Sequence, residues 1–161
     1  MVTTALPVEH TVTLKPIVDE SGYVRDTGQV TPKYMYVGDD TNNISLQAFM
    51  SFDISGIPAG AIISSVVVDF SDHATIYGDP FSSLGCLRAY PHDYGTLDGG
   101  DYFTGNPLGA VIRYCSASEI VAGSDPEVAT ALQAKVGSSR FQMRLQFRDS
   151  ETDNDSNNDM V

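Results

Sequence analysis

The chain reads as an all-β protein, a jelly-roll-type antiparallel β-sandwich carrying one short α-helix at about 125–136. Three observations predict it. Short apolar runs recur about every ten residues with turn signals between them, the spacing of a sandwich or barrel. Fourteen Gly and eight Pro are scattered through 161 residues, and Asp (16) far outnumbers Glu (5), which favours turns over helices. The stretch 141–148 alternates apolar and polar side chains over eight positions, the period of a strand with one buried face.

The elements follow in order. Residues 1–10 read as an extended arm. In residues 10–17, Val12 and Leu14 alternate with Thr11, Thr13 and Lys15 until Pro16, which suits a first or edge strand. Ser21-Gly22 is a turn, and 23–25 and 34–37 are short strands; the polar turn 38–43 closes the second. From 44 to 53, Ile44, Leu46, Ala48, Met50 and Phe52 line one face of a strand. Residues 61–70 are β-branched and apolar on both faces, the mark of a central strand covered on both sides. The strands 84–90 and 110–115 flank a long glycine-rich loop, 92–105. Ser124-Asp125-Pro126-Glu127 starts the helix with a capping residue, a first-turn proline and an acid near the positive dipole end. Val128, Ala131, Leu132 and Val136 give its apolar stripe, and Gly137 ends it. Neither a repeat nor a linker interrupts 1–161, which read as one domain.

Charge narrows the partners. A net charge of −12 repels nucleic acid. Every apolar run falls short of the roughly 20 residues a membrane helix needs. The opening Met1 to Leu6 lacks the basic and apolar regions of a secretory signal. The numbering is therefore expected to start near a mature end, in a protein at the cell surface or outside it. Calcium there is abundant enough to fill weak sites. Cys86 and Cys115 are either two buried thiols or one disulfide between neighbouring strands, which an oxidising compartment permits. A CxxC pair is absent, so zinc is not expected.

The densest chemistry lies in the acidic loop 149–161. Asp149, Glu151, Asp153, Asp155, Asn157 and Asp159 recur at every second position. A loop wrapping a cation turns alternate side chains inward, and calcium takes 6–8 oxygens at about 2.3–2.6 Å. The competing reading is a solvated acidic tail. Asp39 with Asp40, and Asp98 with Asp101, are weaker metal candidates that ordinary turn chemistry also explains. His10, His73 and His92 stand apart from any nucleophile or HExxH pair, and a catalytic site is not expected. Tyr90, Tyr94, Tyr102 and Phe103 cluster around the glycine-rich loop as either a sugar-stacking platform or the loop's own packing.

The stretch from Leu46 through Phe52-Asp53-Ile54-Ser55-Gly56-Ile57-Pro58-Ala59-Gly60-Ala61-Ile62 to Val66 resembles the signature of the DNRLRE, or disaggregatase-related, β-sandwich modules. Gly22-Tyr23-Val24-Arg25 is similar to that family's early motif, and together they cover about the first 70 residues. The acidic loop is also similar to thrombospondin type 3 calcium loops, with Glu151 for the first Asp and Ser156 for the Gly. The resemblance implies a jelly-roll-like sandwich on secreted and cell-surface proteins, often beside carbohydrate-active domains, and supplies no catalytic residues. Such modules close with a further strand, whereas this chain reaches Val161 just past the acidic loop. A bare sheet edge is therefore expected, with residues 3–14 as the natural donor strand for a neighbouring copy. The expectation is a non-catalytic structural subunit that self-assembles, stabilised by calcium. The alternative is a carbohydrate-binding module, with a polysaccharide as partner.

Overall fold

Two long strands made of alternating side chains organise everything else. The computed structural model describes residues 8–74, 78–105, 107–147 and 151–161. Its strands are β1 (Gly22–Arg25), β2 (Val30–Pro32), β3 (Gly38–Asp39), β4 (Ser45–Asp53), β5 (Val67–Val68), β6 (Leu87–Pro91), β7 (Ile112–Tyr114), β8 (Gly123–Ser124), β9 (Arg140–Phe147) and β10 (Asp159–Met160); its helices are α1 (Pro80–Ser83) and α2 (Pro126–Gln133). β4 and β9 pair antiparallel from Ala48↔Leu145 to Asp53↔Arg140. The eight-stranded sheet runs β10-β3-β4-β9-β6-β7, with β1 joining β4 to β2, and β5 and β8 form a separate ribbon. All these pairings are antiparallel, so the all-β class holds.

The period of two puts Ala48, Met50, Phe141, Met143, Leu145 and Phe147 on one face, where they form the main core with Leu87, Ala89, Val128 and Leu132. The other face was expected to meet water, and it does not. Gln47, Ser51, Gln142, Arg144 and Gln146 are all buried. The glycine-rich loop covers Gln47, Gln142 and Arg144 among them, and two glutamines hold it down as a paired strand would. Gln142 accepts from Gly95 N (2.9 Å) and donates to Gly95 O (2.9 Å). Gln47 accepts from Phe103 N (3.0 Å) and donates to Phe103 O (2.7 Å). Each amide of these buried glutamines is thereby paired with one backbone donor and one backbone acceptor.

Residues 61–70 depart the other way. The expected central strand is peripheral: only Val67 and Val68 pair, Ile62 is 87% exposed and Val67 65%. β-branched composition fits any pleated surface and does not say which surface covers it. A third glutamine clamp, from α2, ties this segment down: Ile63 N donates to Gln133 Oε1 (2.7 Å) and Gln133 Nε2 donates to Ala61 O (3.2 Å). Further corrections are smaller. Residues 10–17 contribute a single bridge, Pro16↔Phe52, and 34–37 lie outside the named strands. The helix is shorter than 125–136, because Asp125 caps it and a turn succeeds it after Gln133, and α1 is a second, one-turn helix capped by Asp79.

The acidic loop leads into a closing strand, β10, where none is expected from the sequence; it lies on β3 with Asp159 opposite Asp39 and Met160 opposite Gly38, and is itself the outermost strand on that side. Val161 N donates to Val37 O (3.0 Å) and Val37 N to Val161 O (3.1 Å). Met160, buried with Tyr23 and Leu46, anchors the strand. At the opposite edge, Cys86 and Cys115 are disulfide-bonded across the start of β6 and the end of β7.

Candidate metal centre

The β3–β10 pairing sets the geometry of the site. Antiparallel register places Asp39 and Asp159 side by side, and the loop between β9 and β10 brings Asp153 to them. One carboxylate oxygen from each of the three lies within 4.8 Å of the others. Asp39 is fully buried, at 0% exposed, and Asp159 is 5% exposed. Asp153 N donates to Asp39 Oδ2 (3.3 Å), whereas Asp39 Oδ1 has no hydrogen-bond partner among the described residues. A buried, unpaired carboxylate oxygen is costly.

Two glycines let this corner close. Gly38, at φ +134°, lies where an added Cβ would fall 1.9 Å from the Asp159 carbonyl oxygen. Gly78, at φ +59°, faces the Asp159 carboxylate, and a Cβ there would sit 1.7 Å from Oδ1. Both positions combine a left-handed backbone with no room for a side chain.

Electrostatics follow from the crowding. Burial, opposed by the Asp153 N–H and reinforced by the charges of Asp153, Asp159 and Asp155, pushes the Asp39 carboxyl up to about 6. Burial also raises Asp159; the Ser83 side chain opposes that shift, and Asp153 adds to it. Arg25, the guanidinium on β1, is committed elsewhere, to Asp40 at 2.8 Å. The donor set is oxygen only, which suits a hard divalent cation and gives nothing that would favour zinc.

The structure gathers only part of the alternating set. Asp153 and Asp159 converge, joined by Asp39 from a strand far away in sequence. Asp155 turns back on its own loop: it accepts from Asn157 N (2.6 Å) and Asn157 Nδ2 (2.6 Å), and its own N–H donates to Asp153 Oδ1 (3.0 Å). Glu151 is half-buried outside the triad, and Asp149 lies outside the described residues. The loop therefore does not turn every second side chain toward one point, because Asp153 and Asp155 spend oxygens on successive turns. Asp40 caps the 40–44 turn through Asn42 N (2.8 Å). Asp98 and Asp101 form a reciprocal capping box on a one-turn 3₁₀ helix. Locally Asp39 reads as half of a turn pair with Asp40; its burial opposite a strand partner is a long-range fact that no local spacing carries.

The aromatic platform does not form as a groove. Tyr90 and Tyr94 are buried, and Tyr94 Oη donates to Glu20 O (2.9 Å) while its ring meets Phe49 edge-on. Phe103 is 38% exposed and its ring lies 4.4 Å from the guanidinium carbon of buried Arg144, which also faces the Tyr90 ring at 5.5 Å. Tyr90 and Tyr94 are thus packed into the sheet, and Phe103 stacks on Arg144 while remaining partly exposed. His73 Nδ1 lies 3.0 Å from Phe70 O, and His92 packs against Phe49 and Tyr94. No helix among the described residues is long and apolar enough to cross a membrane. Compared with known protein families, with curated proteins and with solved structures, the chain matches none.

Proposed function

We propose that the chain is a non-catalytic extracellular structural subunit of the β-sandwich type, held at its C-terminal corner by calcium and associating with its own copies by strand addition. One observation carries the reading: three carboxylates from β3, the acidic loop and β10 meet within 4.8 Å, around a buried Asp39 oxygen that nothing among the described residues satisfies. A divalent cation would satisfy that oxygen and cancel the repulsion. Asp39, Asp153 and Asp159 would be its protein ligands. The Cys86–Cys115 disulfide supports an oxidising compartment, and the resemblance of 46–66 to secreted sandwich modules points the same way. Self-association rests on the exposed, strand-free segment 8–13 as donor and on the three-residue edge strand β7 as acceptor.

The carbohydrate-binding alternative has less support, because Tyr90 and Tyr94 are buried. Size-exclusion chromatography of the full chain in calcium and in chelator tests the proposal. Association beyond the monomer that depends on residues 8–13 is the expected result. A strict monomer that is retarded in a polysaccharide gel would transfer the argument to the alternative.

A further inference from the structure

We propose that the cation acts as a latch on β10, fixing the C-terminal strand to the sheet edge; this rests on the cation-binding reading above. The strand's own hold is slight. β10 is two residues long, secured by the paired Val37 and Val161 bonds, by Thr41 N donating to Asn158 Oδ1 (3.0 Å), and by the burial of Met160. Strand pairs this short are marginal on their own. Against that hold stand Asp39 and Asp159, like charges directly opposite each other across the pair, with a third carboxylate beside them. Directly opposed like charges destabilise a strand pair. The cradle around the cluster nevertheless presupposes a docked β10, since Gly38 and Gly78 leave room for the Asp159 backbone and carboxylate respectively.

The three ligands come from both sides of the joint that must open. Asp39 is on the strand that stays, whereas Asp153 and Asp159 travel with the segment that leaves. Opening β10 therefore dismantles the site, and an ion that binds only the closed form stabilises the joint by an amount that grows with the logarithm of ion concentration over Kd. Inside the sheet, the six-residue β4–β9 ladder carries no such charge pairing and holds without the ion.

Amide hydrogen exchange on the full chain, with calcium or with chelator, tests the latch beside a calorimetric calcium titration. In chelator, the Val37 and Val161 amides are expected to exchange at least about tenfold faster than interior β4–β9 amides, because they open locally. Calcium at about 100 times its Kd should slow them about 100-fold. Asp153→Asn separates the two forces acting on the strand: it removes one repelling charge and leaves a neutral, weaker ligand oxygen, without touching the β3–β10 bonds. Its chelator protection at Val37 and Val161 should rise above wild type, and calcium at the wild-type concentration should add far less than it adds to wild type. Calcium bound by calorimetry with unchanged exchange at Val37 and Val161 would overturn the latch and leave the binding site standing. Chelator protection in Asp153→Asn at or below wild type would also overturn it. No calcium binding at all removes the underlying reading, and the latch with it.

Discussion

Two corners of the sheet bring carboxylates together, and they solve the same problem in opposite ways. At the corner where β9 begins, Glu20 takes a two-pronged bond from Arg140, Nε to Oε2 and Nη2 to Oε1, both 2.8 Å. Ser51 Oγ adds a third donor to Glu20 Oε2 (2.7 Å), and Gln142 Nε2 lies 3.3 Å from Ser51 Oγ. Arg140 and Ser51 hold the Glu20 carboxyl below its ordinary value. At the corner where the chain closes, Asp39, Asp153 and Asp159 have one another and, among the described residues, no basic partner, and burial drives Asp39 the other way, up to about 6. Among the described residues, the chain supplies its own positive charge to one corner and none to the other. A corner built to receive an ion from solution has that asymmetry.

The comparison breaks most visibly by changing Asp39. Wild-type protein at calcium about 100 times its Kd should gain about 2.7 kcal/mol over chelator. In Asp39→Asn that gain should disappear, while the chelator melting temperature rises above wild type because a buried, repelled charge is gone. Calorimetric melting in the two buffers reads both effects. Ser51→Ala acts at the other corner. It removes a buried donor to Glu20 and a partner of Gln142, and should cost about 1–2 kcal/mol by urea unfolding while leaving the calcium response intact.

The smallest expected effect is in pH, and its sign separates the corners. Glu20 has a lowered folded value, so its contribution is present above about pH 4.5 and is lost as pH falls through that folded value. Glu20→Gln should therefore flatten the acid limb of the melting curve. Asp39 has a raised folded value, so in chelator the folded state binds the extra proton between about 4 and about 6, and stability should fall as pH rises through that window. Asp39→Asn should remove that second slope and leave the first.

Much of the sheet was legible because it is written locally. β4, β9 and α2 each carry their period, caps and stops within a dozen residues, and each forms within a few residues of its expected bounds. What covers them was not legible. The 142, 144 and 146 side chains read as a wet face, yet all three are buried, and a loop some forty residues upstream lies over Gln142 and Arg144 and takes Gln142 and Gln47 as backbone partners. Residues 61–70 read as doubly covered on composition alone, and tertiary packing left them at the margin. The metal candidates divide along the same line. Asp153 and Asp159 could be picked from the loop, whereas the union with Asp39 depends on β10 pairing across a separation of 120 residues.

A crystal structure of the full chain grown in calcium decides whether this corner holds an ion. One ion is expected, with at least one oxygen from each of Asp39, Asp153 and Asp159 at about 2.3–2.6 Å, β10 in place on β3, and Asp39 Oδ1 satisfied. The three carboxylates sharing protons with no ion between them, in saturating calcium, would contradict it.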